Sequence, residues 1–151
     1  MDYLPIFLNV KGKKCLVVGG GDVSLRKATT LVQAGAQVSI VSPELAQGFS
    51  ALAGIQHIPE RFKPAHLDGY LLVIAATDEQ DTNEAVSREA KLRNMPVNVV
   101  DNPALCSFIL PSILDRSPIM VAFSSGGASP VLTRMLRGKL ETLVPQGYSK
   151  L

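Results

Sequence analysis

Five short apolar runs punctuate the first two thirds of the chain: Cys15–Val18, Gln37–Val41, Gln56–Ile58, Leu71–Ala75 and Val97–Val100. They alternate with helical periodicity, and that alternation predicts βαβ units and a parallel sheet. Between the first two runs, Val23–Ala34 places Ala28, Leu31 and Val32 on one apolar face, with Gly35 set to end the helix. Between the fourth and fifth, Asp78–Arg93 reads as a second helix with Ala85, Val86 and Ala90 inward and Thr77 or Asp78 as its cap. The handedness of crossover connections then dictates a doubly wound arrangement.

The pattern changes after Val100. Ser107–Leu114 and Ile119–Ser124 read as two strands joined by the turn DRSP, Asp115 to Pro118, which suits an antiparallel hairpin. Ser129 and Pro130 then have the chemistry of a helix N-cap and first turn, and Val131–Leu143 carries Leu132, Met135, Leu136 and Leu140 on one stripe. A hairpin and one helix have too little core of their own. The stripe is expected to bury itself against the sheet domain or a second subunit, with dimerisation the simpler expectation.

Composition narrows the function classes. With 46% hydrophobic and 19% charged residues the chain can bury a real core, which excludes disorder as its main state. A net charge of +2 with scattered basic residues lacks the footprint of a nucleic-acid binder. The N-terminus carries Asp2 and Pro5 and too short an apolar run for a signal peptide or membrane span, so a soluble, cytoplasmic protein is expected. Cys15 and Cys106 have no cysteine or histidine at metal-ligand spacing, and no zinc site is written here. Cys15 reads as a buried strand residue and Cys106 as part of a turn-rich, more exposed stretch. His57 and His66 are lone histidines without a sequence partner suggesting a metal site or triad.

The strongest local motif is Gly19-Gly20-Gly21-Asp22-Val23-Ser24, directly after one strand and directly before a helix. Gly19 permits the tight turn. Gly21 lets a pyrophosphate approach the backbone, where the amides of Asp22 and Val23 open the helix and present the positive end of its dipole. Ser24 stands where a third glycine is usual. The acidic residue that ordinarily holds the adenosine ribose is missing from the end of the second strand, which reads Val41-Ser42-Pro43-Glu44. Ser42, or the backbone around Pro43 and Glu44, is left to hold the ribose. No arginine or lysine lies between Lys27 and Arg61 to meet the extra phosphate of NADP, so NAD is the expected cofactor. A tight turn between strand and helix with no ligand is the competing explanation of the three glycines.

Four stretches, VVGGGDVSLRK, AATDEQDTNEAV, NVVDNPALCSFILPS and DRSPIMVAFSSGGASPVLTRMLRGKLE, together resemble the precorrin-2 dehydrogenase and sirohydrochlorin ferrochelatase module of siroheme synthase. The resemblance runs from about Pro5 to Pro145. It implies NAD-dependent dehydrogenation of precorrin-2 to sirohydrochlorin, insertion of ferrous iron to give siroheme, and a homodimer with interlocking hairpin and helix segments. Family members usually continue further, so a longer parent protein is expected. The resulting expectation is an α/β chain: a Rossmann-type doubly wound parallel sheet over residues 1–112, a hairpin-plus-helix dimerisation and tetrapyrrole segment over 113–145, and the start of a further region at 146–151. Dehydrogenation without iron insertion, and a non-catalytic NAD-binding regulatory module, are the alternatives.

Candidate site residues follow from position and resemblance together. Asp101 ends the fifth run, at the edge that lines the ligand crevice of an open α/β sheet, and it matches the family's catalytic aspartate. One carboxylate there serves both as proton acceptor in dehydrogenation and in removing pyrrole protons before metal entry. An isolated Asp before Asn102-Pro103 otherwise reads as a turn residue. Thr77 and Asp78, with Asn83, follow the fourth run and flank the nicotinamide half of the cofactor, or simply cap a helix. Ser124, Ser125, Gly126 and Gly127 precede the Ser129-capped helix and suit substrate carboxylates, with Arg116 and Arg134 as the pairing cations and Arg137 and Lys139 close by in sequence. The resemblance further marks Ser125 as a phosphorylation site, where added negative charge repels a polyanionic substrate.

Overall fold

The computed structural model describes residues 1–147. Residues 148–151, most of the segment expected to open a further region, lie outside the described residues. Two compact units emerge, one formed by Ile6–Phe108 and the other by Met1–Pro5 with the chain from Ile109 onward.

The larger unit holds a five-stranded sheet: β1 (Lys14–Val18), β2 (Gln37–Val41), β3 (Ile55–Ile58), β4 (Leu72–Ala75) and β5 (Val97–Val99). All neighbours pair in parallel, in the order β3-β2-β1-β4-β5. Helix α1 (Asp22–Gln33) joins β1 to β2, and α2 (Gln80–Leu92) joins β4 to β5. From the centre of the sheet these crossovers run in opposite directions, so right-handed connections put the helices on opposite faces. Side-chain parity agrees. Leu16, Val18, Val41, Val73, Ala75, Val97 and Val99 form one buried cluster with Val86 and Ala90 of α2. Cys15, Val17, Ile40 and Ile74, each 0% exposed, are left to the face that Ala28 and Leu31 of α1 cover. Burial on both sides explains why the central strands read as unbroken apolar runs, whereas edge strand β3 exposes Gln56 and His57.

Both helices stop through the same device. Gly35 at φ +85° follows α1, with the amides of Gly35 and Ala36 returning to the carbonyls of Val32 and Leu31. Asn94 at φ +52° follows α2, with Asn94 and Met95 returning to Lys91 and Ala90. These bonds satisfy the last carbonyls of each helix. The expected start of α2 needs correction. The helix opens at Gln80 rather than Asp78, and neither Thr77 nor Asp78 caps it. Instead the Thr77 hydroxyl accepts from the Glu79 amide at 3.2 Å, a turn that competes with helical continuation.

The smaller unit pairs β6 (Ser112–Arg116) with β7 (Ile119–Phe123) in antiparallel register, Ser112 opposite Phe123, and α3 (Pro130–Leu143) packs on β6. The first hairpin strand is shorter than its sequence suggests, because residues 107–108 attach to β5 instead. The turn is also tighter than DRSP. Asp115 and Arg116 remain in the ladder, and the Asp115 carboxylate accepts from the Ser117 amide at 2.9 Å and its hydroxyl at 2.6 Å. Ser129 caps α3 as expected, accepting from the Leu132 amide at 3.2 Å. Of the α3 stripe, Leu140 is half-buried, whereas Leu132, Met135 and Leu136 are 50%, 58% and 42% exposed among the described residues.

Candidate functional site

In an open parallel sheet the ligand crevice lies beyond the carboxyl ends of the strands, where the order of connections reverses. Here that point falls between β1 and β4, and the glycine loop leaves β1 there. Gly19 adopts φ +125°, and a Cβ on it would stand 2.6 Å from both the Ala76 carbonyl oxygen and the Ser24 hydroxyl. Only glycine fits. Ser24, in place of a third glycine, is fully buried and donates to the Ala76 carbonyl at 3.2 Å, tying α1 to the end of β4.

Gly20 has a role that the sequence motif did not reveal. Its carbonyl accepts from the Ala46 amide at 2.7 Å, and a Cβ on it would collide with the Glu44 carbonyl and lie 2.6 Å from the Ser42 hydroxyl. The loop after β2 therefore rests directly on the glycine loop. Ser42 donates to the Glu44 carbonyl at 2.7 Å, and the His57 Nε2 sits 2.8 Å from the Ser42 carbonyl. So Ser42, Pro43 and Glu44, the segment expected to hold the ribose, is brought beside the glycine loop.

Gly21 contrasts with both neighbours, since nothing lies within 4 Å of where its Cβ would project. It is the N-cap of α1, and no side chain caps that helix. The open approach at Gly21 and the first-turn amides of Asp22 and Val23 make a cradle that fits a pyrophosphate. A dinucleotide is therefore compatible with the residues present.

After β4, the chain is locked by one side chain. Asn83 accepts from the Thr77 amide at 3.2 Å and its Nδ2 donates to the Thr77 carbonyl at 3.0 Å. Thr77 and Asn83 thereby shape the loop at the crevice, while Asp78 is exposed on it. Glu79 meets Arg61 at 3.1 Å, and hydrogen bonds from Thr82 and Arg61 hold its carboxyl below the ordinary value.

Asp101 follows β5 at the same sheet edge. Its backbone lies at φ +60°, in the left-handed region, and its side chain is exposed. The turn closes through the Asn102 amide to the Val99 carbonyl at 3.1 Å. Nearby, Cys106 lies in a turn and is more exposed than Cys15, as expected, and its sulfur also has backbone partners that the sequence did not show. Its sulfur accepts from the Val99 amide at 3.1 Å and has the Val99 and Asn102 carbonyls at 3.2 and 3.3 Å. Cys15, buried in β1, has its thiol pushed up to about 11 by desolvation. His66 also has partners that spacing did not show: Nδ1 accepts from the Lys63 amide and Nε2 faces Glu60, both at 2.9 Å.

In the smaller unit, Gly126 and Gly127 take φ +66° and +87°, turning the chain into α3. The hydroxyl of Ser124 accepts from the Gly126 amide at 3.0 Å, and that of Ser125 accepts from the Ser129 amide at 3.1 Å. Two serines thus stabilise the loop that presents the N-terminus of α3. Arg116 donates through Nε to the Val144 carbonyl at 3.2 Å and through Nη1 to the Asp115 carbonyl, so part of its fork is engaged in structure. Arg137 pairs with Glu141 at 3.1 Å. Arg134 is exposed and makes no ion pair among the described residues.

Comparison with known proteins places this geometry. Residues 6–112 match a family model described as putative NAD(P)-binding. The chain is 56% identical over 155 residues to a siroheme synthase of Nitrosomonas eutropha, covering 100% of this chain and 33% of that protein. It is 56% identical over 154 residues to a siroheme synthase of Methylobacillus flagellatus, again covering 100% of this chain and 33% of the relative. The chain thus spans about a third of the length of these curated relatives. Among solved structures, one titled SirC, precorrin-2 dehydrogenase, superposes with a TM-score of 0.81 at 24% identity over 98% of this chain and 74% of that one, a likeness of fold.

Proposed function

The chain belongs to the putative NAD(P)-binding family and corresponds to the N-terminal, precorrin-2 dehydrogenase-like module of siroheme synthase, and from that premise we propose that it oxidises precorrin-2 to sirohydrochlorin with NAD. The observation that carries the proposal is the uncapped N-terminus of α1 behind an open Gly21, on the same sheet edge as Asp101. When bound, the dinucleotide supplies the hydride acceptor. The amides of Asp22 and Val23 hold its pyrophosphate, and the Ser42–Glu44 loop holds the adenosine ribose. Thr77 and Asp78 border the nicotinamide half.

Dehydrogenation removes a hydride and a proton from the tetrapyrrole, and the Asp101 carboxylate takes the proton. Ser124, Ser125, Gly126 and Gly127, with Arg134 and the free part of the Arg116 fork, bind carboxylates of the substrate. Phosphorylation of Ser125 weakens that binding through like-charge repulsion of the substrate carboxylates. A second copy of the chain covers the exposed stripe of α3, because so large an apolar surface is otherwise costly.

Turnover is tested by mixing the purified protein with precorrin-2 and NAD and following sirohydrochlorin absorbance. Loss of product formation in Asp101→Asn is expected, and no NAD-dependent oxidation by the intact wild-type chain would refute the proposal. Insertion of ferrous iron into sirohydrochlorin is the further reading. It would call on the same exposed Asp101 carboxylate, since the macrocycle supplies the nitrogen ligands and the enzyme need only receive pyrrole protons. Comparing iron insertion with dehydrogenation in the same preparation separates the two activities: a chain that oxidises without accelerating insertion is a dehydrogenase alone.

A further inference from the structure

β5 is an edge strand, and its outer side has no strand neighbour among the described residues. Along a parallel strand, alternate residues direct their backbone groups to opposite sides. The Val100 amide reaches Ala75 of β4, so the amides of Val97 and Val99 face outward. Both residues are buried, at 0% and 2% exposed, and buried backbone groups require partners. Side chains of the following loop supply them. The Ser107 hydroxyl accepts from the Val97 amide at 2.9 Å, and the Ser107 amide donates to the Val97 carbonyl at 2.8 Å.

Cys106 does the same one step further along, at the turn that carries Asp101. Its sulfur accepts from the Val99 amide, and its single hydrogen has the carbonyls of Val99 and Asn102 within reach. Val99 and Asn102 are the two ends of that turn. The segment bearing Cys106 is itself anchored to α2, where the buried Ser87 hydroxyl donates to the Leu105 carbonyl at 2.6 Å. A residue at φ +60° stays there only if its surroundings hold it.

We infer that Cys106 is a positioning residue for Asp101, its thiol bracing both ends of the left-handed turn and so fixing where the carboxylate stands in the crevice. The inference rests on Asp101 being the proton acceptor. Cys106 touches no reacting atom, so its effect falls on kcat and leaves cofactor binding alone. A displacement of about 1 Å at a catalytic group can cost on the order of a hundredfold.

The test compares Cys106→Ala and Cys106→Ser in the full chain, with Asp101→Asn alongside. Cys106→Ala is expected to lose roughly tenfold or more in kcat for precorrin-2 oxidation, with KM for NAD unchanged and faster amide exchange at Asn102. Cys106→Ser keeps a donor and an acceptor and is expected to regain most of the loss. Should the alanine variant fail to fold, Ser87→Ala loosens the same segment from the helix side, and a smaller drop in kcat with unchanged KM for NAD is expected. A silent Asp101→Asn would remove both the proton-acceptor reading and the positioning role. An inactive Asp101→Asn beside a fully active Cys106→Ala, or beside a fully active Ser87→Ala where the alanine variant does not fold, would overturn the positioning role alone.

Discussion

Asp101 couples a backbone cost to the proposed role of proton acceptor, and substitution can separate them. At φ +60° a side chain with a Cβ costs roughly 1–2 kcal/mol, less for Asp or Asn, which tolerate the left-handed region better than other residues. Asp101→Ala removes that relief without removing the Cβ, for an expected loss of about 1 kcal/mol. Asp101→Asn keeps the relief and is expected to be near neutral. In Asp101→Gly, release of strain is offset by the floppier unfolded chain, worth about 0.4–1 kcal/mol, so it too lands near zero. For a chain of this size 1 kcal/mol moves the melting temperature by about 2–4 °C. Thermal unfolding followed by circular dichroism should therefore place Asp101→Ala below wild type by that amount and the other two close to it. Turnover with precorrin-2 and NAD should fall in all three, by about 10²–10⁴ for loss of a general base. An Asp101→Ala protein as stable as wild type would refute the account of the backbone. Wild-type turnover in Asp101→Asn would refute the proton acceptor.

The glycines make opposite predictions. Gly20→Ala forces the Cβ against the Glu44 carbonyl and should destabilise by about 1–3 kcal/mol, read from denaturant midpoints. Gly21→Ala meets nothing among the described residues and should melt normally, yet weaken NAD at least about tenfold, near 1.4 kcal/mol, by calorimetry. Bonds from the Ser117 hydroxyl and amide hold Asp115 below its ordinary 3.8, so its contribution to the hairpin is present above 3.8 and is lost as the pH falls through the lowered value; amide exchange at Ser117 should quicken only there, and Ser117→Ala should shift that onset upward. Cys15 has the opposite sign. Raised from 9.0 to about 11, it costs no stability below pH 9 and destabilises the fold progressively between those values, so Cys15→Val should flatten the alkaline fall in melting temperature.

Periodicity located the parallel strands and the helices between them, most plainly the central strands, because two-sided burial leaves apolar runs there, whereas edge strand β3 shows only a short run. The glycine loop was legible for the same local reason: its strand and helix are contiguous with it. Asp101 owed its prominence to its place at a strand end and to resemblance. Contacts distant in sequence were not legible. Gly20 is required by the carbonyl of Glu44, Ser24 by that of Ala76, and the bracing of the Asp101 turn by Cys106 depends on a loop folding back along β5. Thr77 looked like a cap, yet Asn83 and Glu79 claim it through side-chain bonds that outcompete another helical turn. The sequence by itself determined the layers and the glycine loop between β1 and α1, since periodicity and turn chemistry are local. Only the tertiary structure decided which glycines are sterically required and which side chains bond the backbone of the turn after β5, since those depend on atoms that the chain brings together only when folded.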